Sequence, residues 1–239
     1  MAAKSAPKSA PKSAIVIGAS GGIGAALAEA LRDEGDYAVT ALSRSATGDD
    51  RIDIADEGSI ARAAERCADL QPDLILLATG LLHDGDLGPE KAMRDLDADW
   101  LARQYLVNAI GPALVAKHFL PIMKTGGITR FAALSARVGS ISDNRLGGWY
   151  GYRASKAALN QLIRSLAIEW RRKNERSIVV GLHPGTVDTG LSKPFQGNVP
   201  EGKLFTADRA AVQLLDVLDD LKPGDSGKIF AWDGEEIAP

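Results

Sequence analysis

Tyr152 and Lys156 stand four residues apart in Gly151-Tyr152-Arg153-Ala154-Ser155-Lys156. On a helix that spacing puts the two side chains on one face, about 40° apart and one turn displaced. A free phenol titrates near about 10, too high to exchange protons easily at neutral pH. A neighbouring ammonium favours the phenolate, so the pair is expected to draw the phenol down towards the range of a general acid/base. Two unrelated surface residues would show the same spacing, so the pair needs support from elsewhere in the chain.

That support is Gly18-Ala19-Ser20-Gly21-Gly22-Ile23-Gly24. It follows the apolar run Ala14-Ile15-Val16-Ile17 and precedes a helical pattern carrying Ile23, Leu27, Ala30 and Leu31 on one face. Strand, glycine turn and helix start together bring backbone N–H groups and a helix N-terminus to a pyrophosphate. The glycines allow the turn and the close approach. The alternative is an ordinary tight connection from strand to helix.

These elements recur along the chain. Apolar runs predict strands over 14–17, 37–42, 51–54, 74–78, 129–134, 178–182 and 228–231, mostly continuous rather than alternating, as strands buried on both faces require. Helical patterns cover about 22–34, 57–69, 98–122, 149–173 and 206–221. The alternation predicts an α/β fold, a single Rossmann-like doubly wound parallel sheet with helices on both faces and a ligand crevice at the strand C-terminal ends.

With Gly-x-x-x-Gly-x-Gly at 18–24 and Tyr-x-x-x-Lys at 152–156, the chain resembles the short-chain dehydrogenase/reductase family over about Ala14 to Gly234. Within that family the stretch from Leu134 to Asn160 is similar to the C-factor and sniffer-type carbonyl reductases. The resemblance implies about seven strands in the order 3-2-1-4-5-6-7 and hydride exchange between a nicotinamide cofactor and a carbonyl. Tyr152 would be the general acid, and Lys156 would tune it and hold the nicotinamide ribose. Ser135 would polarise the carbonyl and Asn108 would support a proton relay. Relatives carry two serines in a row where this chain has Ser135-Ala136, so Ser140 is the fallback. The cofactor surface would comprise Gly18, Ser20, Gly22, Ile23, Gly24, Ser43, Arg44, Asp53, Ile54, Ala78, Thr79, Gly80, Pro184, Gly185, Val187 and Thr189, together with Tyr152 and Lys156. Leu77-Ala78-Thr79-Gly80 departs from the family's Asn-Asn-Ala-Gly.

Cofactor preference rests on Ser43-Arg44 at the end of the second strand. An acidic residue there would bind a ribose 2′-hydroxyl; Arg44 offers a charged fork for a 2′-phosphate, which favours NADPH while leaving NADH open. An ordinary solvated arginine is the competing reading. The stretch 186–205 is long for a plain connection and reads as a substrate loop.

Composition bounds the rest. The 239 residues, 45% hydrophobic and 25% charged, suit one α/β domain from 14 to 239. A net charge of −3 gives no electrostatic case for nucleic acid, and one cysteine fits a reducing, cytoplasmic setting. No apolar stretch reaches the roughly 18–20 residues that span a bilayer. His83, His118 and His183 share no metal-ligand spacing, and Asp95-Leu96-Asp97-Ala98-Asp99 lacks the rest of a calcium loop, so no metal is expected. Lys-Ser-Ala-Pro repeats at 4–7 and 8–11, which makes 1–13 a tail. The partner is expected to be a small carbonyl or alcohol, with a homodimer or homotetramer implied by the resemblance. Two rivals stay open: a nucleotide-binding signalling or scaffold protein of the same fold, and an alcohol dehydrogenase working in the oxidative direction.

Overall fold

The computed structural model describes residues 11–239. Strands β1 (Lys12–Ile17), β2 (Tyr37–Leu42), β3 (Leu74–Leu77), β4 (Arg130–Leu134), β5 (Ile178–His183) and β8 (Ile229–Ala231) form one parallel sheet in the order β2-β1-β3-β4-β5-β8. Residues of one strand alternate between two cores. Ile15 and Ile17 of β1 belong to one face, with Phe131 of β4 and Val179 of β5. Ala14 and Val16 belong to the other, with Ala132 and Val180. Burial on both faces explains why these runs are apolar throughout.

Helices α1 (Gly22–Glu34) and α6 (Ala207–Asp220) cover one face. The other is covered by α2 (Glu57–Arg66), α4 (Gly111–Phe119) and α5 (Tyr150–Trp170). Side chains of Asp56, Asp97 and Thr206 cap the starts of α2, α3 (Ala98–Tyr105) and α6 by accepting backbone N–H bonds. Asp97 therefore serves the helix start, which is what becomes of the acidic run 95–99.

Three boundaries differ from expectation. The chain enters β1 at Lys12, whose N–H bonds Asp36 O at 2.9 Å, so the tail expected over 1–13 gives up its last two residues to the sheet. Residues 1–10 lie outside the described part. The strand expected at 51–54 is reduced to a single parallel bridge, Ser43 to Arg51. Asp53 N there bonds Ser59 Oγ at 2.9 Å instead of a neighbouring strand, so the main sheet has six strands rather than seven. The helix expected over 98–122 runs that length but contains a π turn at Leu106–Ile110 between α3 and α4. Beyond β5, β6 (Thr186–Val187) pairs with β7 (Leu204–Phe205), which pins both ends of the expected substrate loop.

Candidate active site

The C-terminal ends of β1, β3, β4 and β5 open into a cleft of about 910 Å3, running from Ser20–Ile23 past Ala78–Gly80 to Tyr152, Lys156 and Pro184–Thr189. That volume is at the upper end for small-molecule and cofactor sites.

At one end the glycine turn is shaped by its own backbone. Gly18 has φ +90°, and a Cβ there would sit 2.6 Å from Ala78 O. A Cβ on Gly24 would overlap Gly18 O, and one on Gly22 would sit 2.7 Å from Thr189 Cγ2. A side chain at 18 or 22 would therefore push Ala78–Thr79 or Thr189 off the turn, and one at 24 would collide with the turn itself. No side chain caps α1 at Gly21, which leaves its leading N–H groups available to an anion.

At the other end α5 presents Tyr152 and Lys156, 8% and 2% exposed, in its first two turns. Lys156 Nζ lies 5.9 Å from the Tyr152 ring centroid and donates to Leu134 O at 2.8 Å. Burial pushes the Tyr152 phenol up to about 12 and Lys156 down to about 8. The expectation that the ammonium draws the phenol down is therefore reversed here. Both groups have lost water, and the lysine spends its hydrogen bond on a carbonyl.

Asn108 sits in the π turn, fully buried. Its Oδ1 accepts from Leu81 N at 2.8 Å, and its Nδ2 donates to Leu81 O at 2.8 Å and to Ser155 Oγ at 3.1 Å. The amide thus ties the end of the β3 segment to α5. A Cβ on Gly80 would lie 3.7 Å from Asn108 Oδ1 and 3.8 Å from Lys156 Nζ, so asparagine and lysine converge behind Gly80.

The serine does not sit as expected. Ser135 belongs to the cleft wall, but its hydroxyl donates to Asn160 Oδ1 at 2.5 Å. The residue packed with Tyr152 and Leu82 is Ala136, which has no hydroxyl. Ser140 is tied to the chain end: its Oγ donates to Pro239 O at 3.4 Å and accepts from Asp143 N at 3.2 Å. It is not among the residues that line the cleft.

Of the remaining expected residues, Thr79, Gly80, Pro184, Gly185, Val187 and Thr189 line the cleft. Ser43 and Arg44 stand outside its enclosed part, next to Leu42, whose carbonyl accepts the Gly18 and Ala19 N–H groups. Arg44 is exposed. Asp53 and Ile54 also lie outside it; the Asp53 carboxylate accepts from Ala55 N at 3.0 Å and shapes that turn.

Five residues with no expected role complete the site. Glu90, 3% exposed, accepts Gly151 N at 3.0 Å and Gln104 Nε2 at 3.1 Å. Ser155 bridges Asn108 to Tyr152 O, and Asn160 receives Ser135. His183 lines the cleft with its Nδ1 unpartnered. Burial, aided by the Arg137 and Lys156 charges and opposed by Asp233, lowers it to about 4 and keeps it neutral. A Glu at 90 and a Gln at 104 carry no periodic signal; only the three-dimensional path brings them to Gly151.

A nicotinamide dinucleotide fits these residues. The glycine cradle leaves the space that any Cβ would fill, and Thr79 Oγ1 is buried at the cleft wall without a partner.

Comparison with known proteins agrees with this geometry. A family model described as short chain dehydrogenase matches residues 12–199. The C-signal of Myxococcus xanthus is 37% identical over 146 residues, 61% of this chain and 82% of that protein. The 1-hydroxy-2-glutathionyl-2-methyl-3-butene dehydrogenase of Rhodococcus sp. (strain AD45) is 29% identical over 230 residues, covering 92% and 96%. Among solved structures, an NADPH-bound carbonyl reductase from chicken fatty liver superposes with a TM-score of 0.83 at 26% identity, covering 96% and 94%. The carbonyl reductase Sniffer of D. melanogaster, at 19% identity and TM-score 0.80 over 96% and 100%, shares the fold. With the glycine turn, the Tyr152–Lys156 face and the doubly wound sheet in one chain, this protein belongs to the short-chain dehydrogenase family.

Proposed function

We propose that the protein reduces a small-molecule carbonyl to an alcohol with NADPH, Tyr152 being the proton donor. One observation carries this reading: a buried phenol and a buried lysine share one face of α5 at the floor of a cleft that continues to the glycine turn. The likeness to the NADPH-bound carbonyl reductase supports the choice of cofactor, as does Arg44 beside the turn.

The residues that would hold the dinucleotide are the N–H groups of Ser20–Ile23 for the pyrophosphate, Arg44 for a 2′-phosphate, and Thr79, Lys156 and Val187–Thr189 for the nicotinamide half. When bound, it supplies the hydride. The chain supplies the rest. Burial keeps the Tyr152 phenol protonated across the physiological range, as a proton donor to a carbonyl oxygen requires. As that proton leaves, the Lys156 ammonium beside the ring stabilises the phenolate. Asn108 holds Gly80–Leu81 against α5 so that the donor stays in register. Leu82, Ala136 and Trp149 exclude water around the phenol.

A homo-oligomer, dimer or tetramer, acting in the cytoplasm completes the proposal. Its support is the exposed apolar Ile110 and Ile168 on the helical surface. A second reading, a nucleotide-binding protein whose output is a signal rather than turnover, draws on the likeness to the C-signal.

The test is titration with NADPH and with NADH, followed by nicotinamide fluorescence, and then a screen of ketones and aldehydes for NADPH oxidation. NADPH binding with carbonyl-dependent oxidation is the expected result. Binding without turnover on any carbonyl moves the signalling reading ahead, and no binding of either nucleotide overturns both.

A further inference from the structure

The substrate half of the cleft carries charge that the reduction does not use. Arg137, Arg145 and Arg153 all line it, with Asp143 as an acidic neighbour. Arg137 is already paired, 3.7 Å from Asp143 and 2.8 Å from Glu235. None of the ion pairs among the described residues includes Arg145 or Arg153.

Arg153 is half-buried, directly after Tyr152. Its Nε donates to Gly148 O at 3.1 Å and a terminal nitrogen to Val138 O at 3.5 Å. Both acceptors are neutral carbonyls, so the guanidinium is anchored without being neutralised, and part of its five-donor fork stays open. A cation withdrawn from water with no counter-ion is costly, and an anion arriving in the cleft removes that cost. Arg145 stands exposed on the 141–149 loop, which forms the outer wall of the same cleft.

The cleft wall beside Tyr152 is aromatic. Trp149 meets Tyr152 edge-on at 6.2 Å between ring centroids and Phe195 at 5.3 Å, and Phe195 meets His83 at 5.9 Å. One cleft therefore holds a proton donor, an aromatic wall packed against it and two guanidinium groups that take part in no ion pair among the described residues.

We infer that the substrate is an apolar or aromatic carbonyl compound bearing a carboxylate, with Arg145 and Arg153 binding that carboxylate. The inference deepens the carbonyl-reductase reading and rests on it for the reaction, though not for the binding. The planar fork of Arg153 matches a carboxylate in two-point contact. The carboxylate fixes the far end of the molecule while the aromatic wall directs its carbonyl to Tyr152.

The experiment separates binding from turnover. The full-length protein, saturated with NADP+, is titrated with 4-acetylbenzoate and with its methyl ester, read by tryptophan fluorescence. NADPH oxidation on both compounds is measured in parallel. The expected result is a carboxylate that binds at least ~10-fold tighter than the ester, with the ratio shrinking at high salt. In the Arg145→Met, Arg153→Met double variant the ratio collapses towards one. Arg145→Glu, a change at an exposed position that leaves the Arg153 anchors in place, lowers the ratio as well and covers the case in which the double variant fails to fold. Equal binding of acid and ester, no binding of the acid, or a ratio unaffected by these substitutions overturns the inference. A retained carboxylate preference without NADPH oxidation keeps the binding assignment and sinks the reductase reading. Oxidation of NADPH on both compounds with equal affinity does the reverse.

Discussion

The Glu90 carboxylate accepts the backbone N–H of Gly151 at 3.0 Å, so a side chain sixty-one positions away caps the helix that carries Tyr152. No side chain at Trp149, the residue preceding α5, does that work; Trp149 is itself in a left-handed conformation at φ 52° and donates its N–H to Glu90 O. The negative charge lies at the positive end of the helix. A Cβ on Gly151 would sit 2.8 Å from Glu90 Oε1, so only glycine lets the two come together. Glu90→Ala strips a buried N–H and Gln104 of their acceptor and is expected to cost about 2 kcal/mol or more. Glu90→Gln, which keeps an amide oxygen, should cost less. Urea midpoints of the three proteins check the order, and an Ala variant as stable as the parent would show that the cap is idle.

Ser135 and Tyr152 should separate in their kinetics. The Ser135 hydroxyl is donated to Asn160, and the residue packed against the phenol is Ala136, so the reacting carbonyl has no free serine donor at that point. Tyr152→Phe removes the proton donor while leaving the glycine turn untouched, and turnover is expected to fall at least ~100-fold with NADPH affinity retained. Ser135→Ala should lose no more than about 10-fold, the consequence of a loosened Asn160 rather than of a missing reactant. A Ser135→Ala loss as large as that of Tyr152→Phe would mean that the hydroxyl leaves Asn160 for the substrate.

How far the sequence reaches can be read from the same residues. The glycine turn, the six sheet strands and the Tyr152–Lys156 face were legible because each rests on local spacing: continuous apolar runs, a glycine cradle, a four-residue step on a helix. The strand at 51–54 was misread because a short apolar run does not reveal that Asp53 N turns to Ser59. The state of the phenol was misread for a different reason. Spacing places Lys156 beside Tyr152, but burial sets the direction of both titrations, and it arises only on folding. Glu90, Gln104 and Asn160 were out of reach altogether, since their partners lie on other elements and no periodicity links them.

Arg44 should govern the choice between the two nucleotides. It is exposed at the end of β2, one residue past the buried Ser43, where the Leu42 carbonyl holds the glycine turn. Arg44→Asp replaces a phosphate-binding fork by a carboxylate that repels a 2′-phosphate and accepts from a ribose hydroxyl. The ratio of NADPH to NADH affinity is expected to move at least ~10-fold towards NADH. An unmoved ratio would place recognition of the 2′-phosphate on other residues.

The buried lysine gives the fold a pH dependence of known sign. Burial lowers Lys156 to about 8 from its ordinary value of 10.5. Below about 8 the lysine is charged in both folded and unfolded chains, and the fold carries the full cost of a buried ammonium. Between there and 10.5 the unfolded chain binds the proton and the folded chain does not, so this group makes stability rise with pH across that window. Tyr152, raised to about 12 from 10.0, opposes it only above 10, where the unfolded phenol ionises first and stability falls. Lys156→Met removes the first contribution and leaves the second. The stability difference between parent and variant should therefore be flat below pH 8 and shift in favour of the parent from pH 8 to 10. Urea titrations at half-unit steps check this, and a difference that stays constant across the window would place the folded lysine at its ordinary value.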